Sequence, residues 1–206
     1  MLIGFIGKMG SGKTTAADFL VDSYQFTKHN FKDGLNAELR ELYPDILDHF
    51  RRCYGWTEET DILSVKPAPK ETRQLQQKHG TEVRRGQDKD YWVKKWIHKY
   101  QNMFSDNVVV DDVRFFNEVE AIKNMGGIVV RVERDDIKDT GDHASETELD
   151  GYEADFTIKA EKGDHMFLFM SLEKIIEDDT RTREEDSNNS SAYTEYSEGE
   201  ATEGSK

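Results

Sequence analysis

The chain has 206 residues, 28 basic against 42 acidic side chains and a formal net charge of −14. That length suits one domain with an appendage, and so acidic a total excludes an extended nucleic acid as the main ligand, because its phosphates would be repelled. A lone cysteine, Cys53, rules out an internal disulfide or a cysteine-rich metal site, and no apolar run approaches the ~20 residues that span a bilayer.

Residues 2–6, Leu-Ile-Gly-Phe-Ile, read as a buried strand leading into a glycine-rich turn. The apolar stretch is too short for the hydrophobic region of a signal peptide, so a cytoplasmic setting is expected. Ala16, Ala17, Phe19, Leu20 and Val21 then give residues 13–24 the spacing of a helix against a sheet. Residues 26–31 alternate as a second strand. Leu35, Leu39, Leu42, Ile46, Leu47 and Phe50 mark an amphipathic helical region broken at Pro44. Residues 53–69, with two of the three prolines, read as loop with a short helix.

Helices are expected over residues 71–79 and 89–104, the latter with a stripe of Trp92, Val93, Trp96, Ile97 and Tyr100 that suits core packing better than base stacking. Val108-Val109-Val110 is a buried strand ending abruptly in Asp111 and Asp112. A helix follows over 118–125, stopped by Gly126-Gly127, and then a strand over 128–133. The polar stretch 135–151 suits a mobile lid. A last strand spans 154–160 and a last helix 166–176. This alternation predicts an α/β fold: a three-layer arrangement with a parallel sheet flanked by helices. From residue 177 onward ten acidic residues face three basic ones, half the excess charge of the whole chain. Rich in Ser, Thr, Glu, Asn and Gly, 177–206 is expected to be a disordered tail.

The strongest chemical signal is Gly7-Lys8-Met9-Gly10-Ser11-Gly12-Lys13-Thr14, a complete G-x-x-x-x-G-K-[ST] between an expected strand and an expected helix. Glycines let the backbone wrap until successive N–H groups point at phosphate oxygens, and the helix N-terminus adds partial positive charge. Gly7, Gly10, Ser11, Gly12, Lys13, Thr14 and Thr15 are therefore the expected nucleoside triphosphate-binding residues. Lys13 reaches the β- and γ-phosphates and Thr14 ligates Mg²⁺. No N-K-x-D guanine-reading motif is present, and the chain is short for a motor, which leaves a small kinase with ATP as co-substrate.

The acceptor of such a kinase needs arginines, and Arg40, Arg73, Arg84, Arg85, Arg114, Arg131 and Arg134 are available. Asp112 and Arg114 follow a strand, at the end where ligands of parallel sheets bind. Asp112 is read as the metal carboxylate and Arg114 as a phosphate grip. Asp111 is the adjacent alternative, its side chain on the opposite face by strand alternation. A helix-capping role for this acidic turn is the structural alternative. His143-Ala144-Ser145-Glu146 belongs to the lid, or, with Glu148, to a capping box begun by Ser145.

Residues 109–118, Val-Val-Asp-Asp-Val-Arg-Phe-Phe-Asn-Glu, resemble the D-V-R-F-x-N-E segment of the deoxynucleoside monophosphate kinases of tailed bacteriophages. Leu75-Gln76, Gly80-Thr81-Glu82-Val83-Arg84-Arg85 and Tyr91-Trp92-Val93 are similar to another block of that family, and Gly126-Gly127, Val130-Arg131-Val132-Glu133-Arg134 and His143–Glu146 to later ones. The resemblance covers residues 1–176, which it implies are one P-loop kinase domain with an acceptor-binding helical region over 32–104 and a lid over 135–151. The implied reaction is transfer of the γ-phosphoryl group of ATP to a dNMP, giving dNDP, with Mg²⁺, in the host cytoplasm if phage-encoded. It implies that Arg73, Arg84 and Arg114 bind the acceptor phosphate, with Arg85 beside them. Asp33 meets the sugar or base, and Arg134 approaches the transferred group from the lid. At residues 30–35 the chain lacks the proline that many relatives carry before Leu-Lys. Partners are thus small nucleotides, with no extended nucleic acid and no membrane. A homodimer is common for such enzymes, and no tail partner is specified. The competing readings are another small P-loop kinase, acting on dephospho-coenzyme A or a nucleoside, and an ATP-sensing module whose tail recruits a partner.

Overall fold

The computed structural model describes residues 1–137 and 147–198, with side chains through 185. The chain divides into two compact units, Met1–Lys162 and Gly163–Lys206.

In the first unit, strands β1 (Leu2–Ile6), β2 (Thr27–Lys28), β3 (Val108–Val110), β4 (Ile128–Glu133) and β5 (Phe156–Lys159) form one parallel sheet in the order β2-β3-β1-β4-β5. Helices α1 (Lys13–Tyr24), α2 (Phe31–Leu42), α3 (Pro44–Cys53), α4 (Lys70–Gln77), α5 (Tyr91–Gln101) and α6 (Phe116–Asn124) flank it. The first crossover, β1 to β2, runs one way along the sheet, whereas those from β2 to β3 and β3 to β4 run the other way. Right-handed connections therefore put α1 on one face and α2 to α6 on the opposite one. The sequence obeys this division. Ala16, Ala17 and Leu20 of α1 are wholly buried, with Ile3, Phe5 and Val109 presented by strand alternation to that side. Leu2, Ile6, Val108, Val110 and Val129 join Val93, Trp96, Val119 and Ile122 in a core on the other.

Close approach of α6 to the sheet depends on glycine. A Cβ at Gly127 would lie 2.7 Å from Ile122 Cγ2, 2.8 Å from Leu2 Cγ and 2.9 Å from the Ile122 carbonyl oxygen. Most of the α5 stripe packs in or against the core, as its spacing predicts, while Trp92 lines a cleft. Trp96 stacks on Phe31, His29 and Tyr100, and its indole N–H donates to the His29 carbonyl at 2.8 Å.

Several elements differ from expectation. The strand over 26–31 shrinks to two residues because Asn30 and Phe31 are taken into the start of α2. Residues 54–69 hold turns, such as Ser64 N–H to the Asp61 carbonyl, and no helix. Beyond α4 the chain continues as a π-helical segment, Lys78–Arg85, a widened turn that apolar periodicity does not announce. In the second unit, the helix expected over 166–176 runs on as α7, His165–Glu198, into the stretch expected to be unstructured. Ion pairs one turn apart, Arg181 with Asp178 and Arg183 with Asp179, hold this polar continuation. Most of the expected lid, including residues 143–146, lies outside the described residues, as do 199–206. No helix among the described residues is long and apolar enough to cross a membrane.

Candidate active site

Chain direction along the sheet reverses between β1 and β3, and the crevice beyond the carboxyl ends of two such strands is where open α/β sheets bind ligands. The structure places a cleft of about 580 Å³ there, with Gly10, Gly12, Lys13, Thr14 and Thr15 on one side and Asp111, Asp112 and Arg114 beside them.

The loop after β1 has the backbone its motif requires. Gly7, Gly10 and Gly12 adopt φ values of +133°, +83° and +112°, a region that side chains with a Cβ rarely enter. Gly7 is doubly constrained, since a Cβ there would sit 2.2 Å from the Val132 carbonyl oxygen. It forms the floor of the loop and does not line the cleft. Lys13 opens α1 and folds back, its ammonium donating to the Gly7 and Lys8 carbonyls at 2.5 and 2.8 Å. The Ser11 hydroxyl is buried behind the loop without a hydrogen-bond partner. Arg134, just past β4, donates to the Gly10 carbonyl at 2.9 Å and pairs with Asp136. It braces the loop from outside the cleft.

The two strand-end aspartates have separate tasks. Asp112, expected to take the metal role, accepts from the backbone N–H groups of Phe31 (3.1 Å) and Lys32 (2.9 Å). Its carboxylate is thus committed to the first turn of α2, whose orphan donors need an acceptor. Asp111 faces the glycine-rich loop after β1. Asn30 Nδ2 donates to its Oδ1 at 2.7 Å and its own N–H returns to Asn30 Oδ1 at 2.9 Å. Its Oδ2 is buried without a hydrogen bond. Ammonium groups of Lys28, Lys32 and Lys66 stand 3.8, 3.8 and 3.6 Å from this carboxylate. Burial alone would raise its pKa, but the charges of Lys32, Lys66 and Lys28 and the Thr14 hydroxyl hold it below the ordinary carboxylate value. Of the two, Asp111 is the carboxylate beside Thr14 and Lys66, while Asp112 lines the cleft with its oxygens bonded to the first turn of α2.

Opposite the loop, Arg73, Gln76, Gln77, Gly80, Thr81 and Arg85 line the cleft from α4 and the π-helical segment. Arg84 does not. The widened turn, with its i→i+5 bonding, carries Gly80 and Arg85 to one face and turns Arg84 toward Glu38. That buried carboxylate also accepts from His79 (2.9 Å), Tyr91 (2.8 Å) and Lys95 (2.9 Å). Burial would raise the Glu38 pKa, but these four donors hold it down at about 2. Arg85 is fixed instead by the segment after β3. Its guanidinium lies 3.6 Å from the Phe115 ring centroid and donates to Asn117 Oδ1 at 2.7 Å, with Glu118 Oε1 at 3.3 Å. Glu118 accepts as well from the N–H groups of Arg114 and Phe115, and burial pushes its carboxyl up to about 7 despite Arg85 and those N–H groups. Asp33 stays outside the cleft and caps α2, accepting from the Asn30 N–H at 3.0 Å. Glu148 likewise accepts from the Phe116 N–H, at the start of α6.

Sequence reasoning missed Lys28, Lys32, Asn30 and Lys66. The Lys28-His29-Asn30-Phe31-Lys32 run at a strand end was the available signal for the first three. Nothing local distinguishes Lys66, whose place depends on the path of a loop.

Residues 57–166 match the family described as "Deoxynucleotide monophosphate kinase". A putative deoxynucleotide monophosphate kinase of Acanthamoeba polyphaga mimivirus is 32% identical over 161 residues, covering 72% of this chain and 82% of that protein. The deoxynucleotide monophosphate kinase of Escherichia phage RB69 is 33% identical over 108 residues, 50% of this chain and 44% of its own. Shikimate kinase from Aquifex aeolicus shares 15% identity over 87% of this chain and 99% of its own, at a TM-score of 0.41. The family match spans the arginine-bearing wall and the segment after β3, the two parts that Arg85 ties together, and on it and the mimivirus relative the chain belongs to the deoxynucleotide monophosphate kinase family.

Proposed function

We propose that the protein transfers the γ-phosphoryl group of ATP to a deoxynucleoside monophosphate, giving ADP and a deoxynucleoside diphosphate for DNA synthesis. One observation carries this reading: a phosphate loop with Lys13 and Thr14 shares a single cleft with Arg73, Arg85 and Arg114. Two polyanions held face to face need cations from both walls.

The loop N–H groups and the α1 N-terminus cradle the donor phosphates, and Lys13 leaves the loop carbonyls for the β- and γ-oxygens. Thr14 and Asp111 would hold Mg²⁺. Asp111 suits a hard cation: its buried Oδ2 has no hydrogen bond, and an ammonium already stands beside it. Bound there, the metal neutralises charge on the donor phosphates and fixes their orientation. Arg85, Arg73 and Arg114 grip the acceptor phosphate. That phosphate oxygen is ionised at neutral pH, so the nucleophile needs no strong base, and the carboxyl of Glu118 orients Arg85. Phe31, Leu35, Leu63 and Trp92 offer an apolar bed for sugar and base, with Gln76, Gln77 and Thr81 as polar contacts. Arg134 keeps the loop closed at Gly10.

An ADP-release assay with dNMPs, rNMPs and nucleosides as acceptors tests the reading. Turnover stimulated by one or more dNMPs and dependent on Mg²⁺ is expected. Stimulation by a nucleoside or by dephospho-coenzyme A alone, or by no acceptor at all, defeats it.

A further inference from the structure

The three ammonium groups around Asp111 are not equivalent. Lys28 extends from β2 and also pairs with Asp18, and Lys32 sits in the first turn of α2. Lys66 comes from the segment on the acceptor side of the cleft, where Ser64, Val65, Pro67 and Ala68 are its lining neighbours. Its ammonium donates to Thr14 Oγ1 at 2.7 Å while standing 3.6 Å from Asp111 Oδ2. It therefore bridges a hydroxyl in the first turn of α1 and a carboxylate oxygen just past β3.

Resting on the proposed metal role of that oxygen pair, we infer that Lys66 is a tethered cation that competes with Mg²⁺ for Thr14 and Asp111. A divalent ion and an ammonium cannot share the two oxygens, because like charges so close repel strongly in a partly buried site. Binding of the metal expels the ammonium. The lysine stem is long and flexible, and the residue lines the cleft, so the displaced head swings toward the donor phosphates. Lys66 then gives the enzyme two uses of one charge. Before the metal arrives it offsets the negative potential of Asp111 and supports ATP alone. Once displaced, it faces the phosphoryl group from the acceptor side. A plain surface ion pair would do neither, and its loss would leave the linkage between metal and nucleotide untouched.

The test compares affinity for a fluorescent ATP analogue in EDTA with that in saturating Mg²⁺, and takes the ratio as the metal's contribution. Lys66 has 53% side-chain exposure, so Lys66→Met and Lys66→Gln should fold, which thermal melting verifies. Both should weaken metal-free binding and strengthen the metal's effect, raising the ratio roughly tenfold above wild type, the scale of one partly screened charge contact. A ratio equal to or below wild type in both variants overturns the inference. Asp111→Asn separates the two layers of reasoning. It should bring the ratio down; a wild-type ratio there would sink the metal assignment itself, whereas a lowered ratio with unresponsive Lys66 variants would sink only the competition.

Discussion

Adjacent residues of the same type do different work at two places in the cleft, and in both the difference is one of direction. Asp111 and Asp112 leave β3 on opposite sides, so one meets Thr14 and the lysines while the other ties down α2. Arg84 and Arg85 leave the widened turn likewise, one toward Glu38 and one into the cleft. Arg85→Ala should therefore raise the acceptor KM or lower kcat by tenfold or more, on the scale of ~1.5–3 kcal/mol for a hydrogen bond to a charged group, with little change in ATP affinity. Arg84→Ala should leave both KM values near wild type and lower the urea midpoint slightly, because Glu38 loses one of its four donors. Lys13→Ala should cost roughly 10²–10³ in kcat with an unchanged melting temperature, because it removes charge aimed at the reacting phosphates. Turnover near the wild-type rate would dismiss the loop as the donor site.

Elements were legible where burial imposed a period. β1, β3 and β4 are short segments made mostly of apolar residues and bounded by glycines or carboxylates, and the α5 stripe is a helical face, so both could be read without coordinates. The donor loop was legible because its chemistry is contiguous. The acceptor wall was not, since the π-helical turn changes which side chain faces inward without altering composition. Nor was the length of α7, where ion pairs rather than apolar spacing sustain the helix. Two expectations belong at this scale. Gly127→Ala should overpack the contact of α6 with β1 and cost about 1–3 kcal/mol, because the Ile122 carbonyl oxygen cannot yield as a side-chain tip would. Glu38 links α2, the widened turn and α5, and its carboxyl is held at about 2 against an ordinary 4.5. A lowered folded-state pKa stabilises above the unfolded value, so the contribution is complete above pH 4.5 and fades as pH falls toward 2. It is on the order of 2–3 kcal/mol. Glu38→Gln should lose stability at neutral pH and show a flatter acid limb than wild type.

For the whole molecule, the net charge of −14 is a sum over regions with separate tasks. Half of it belongs to residues 177–206, where the described part of α7 includes the intrahelical pairs Arg181–Asp178 and Arg183–Asp179. A chain ending at Glu177 is expected to keep its turnover while losing helical ellipticity; loss of activity with the melting transition intact would give the extension a catalytic role. The remaining body holds a cleft in which Lys13, Lys32, Lys66 and three arginines outnumber Asp111, Asp112 and Glu118, although the body as a whole is acidic.

The place of β1 in the sheet has one more consequence. It is the middle strand of five, paired on both sides, whereas β2 and β5 are edges and β2 is only two residues long. Local opening begins at such edges, so amide protons of Thr27–Lys28 should exchange with solvent early and those of Leu2–Ile6 only when the entire domain unfolds. The donor loop hangs from that slowest strand. A nucleotide seated on it should therefore slow exchange in β1 by the full factor of 1 + [L]/Kd, while the edges, which open without releasing the loop, exchange as before.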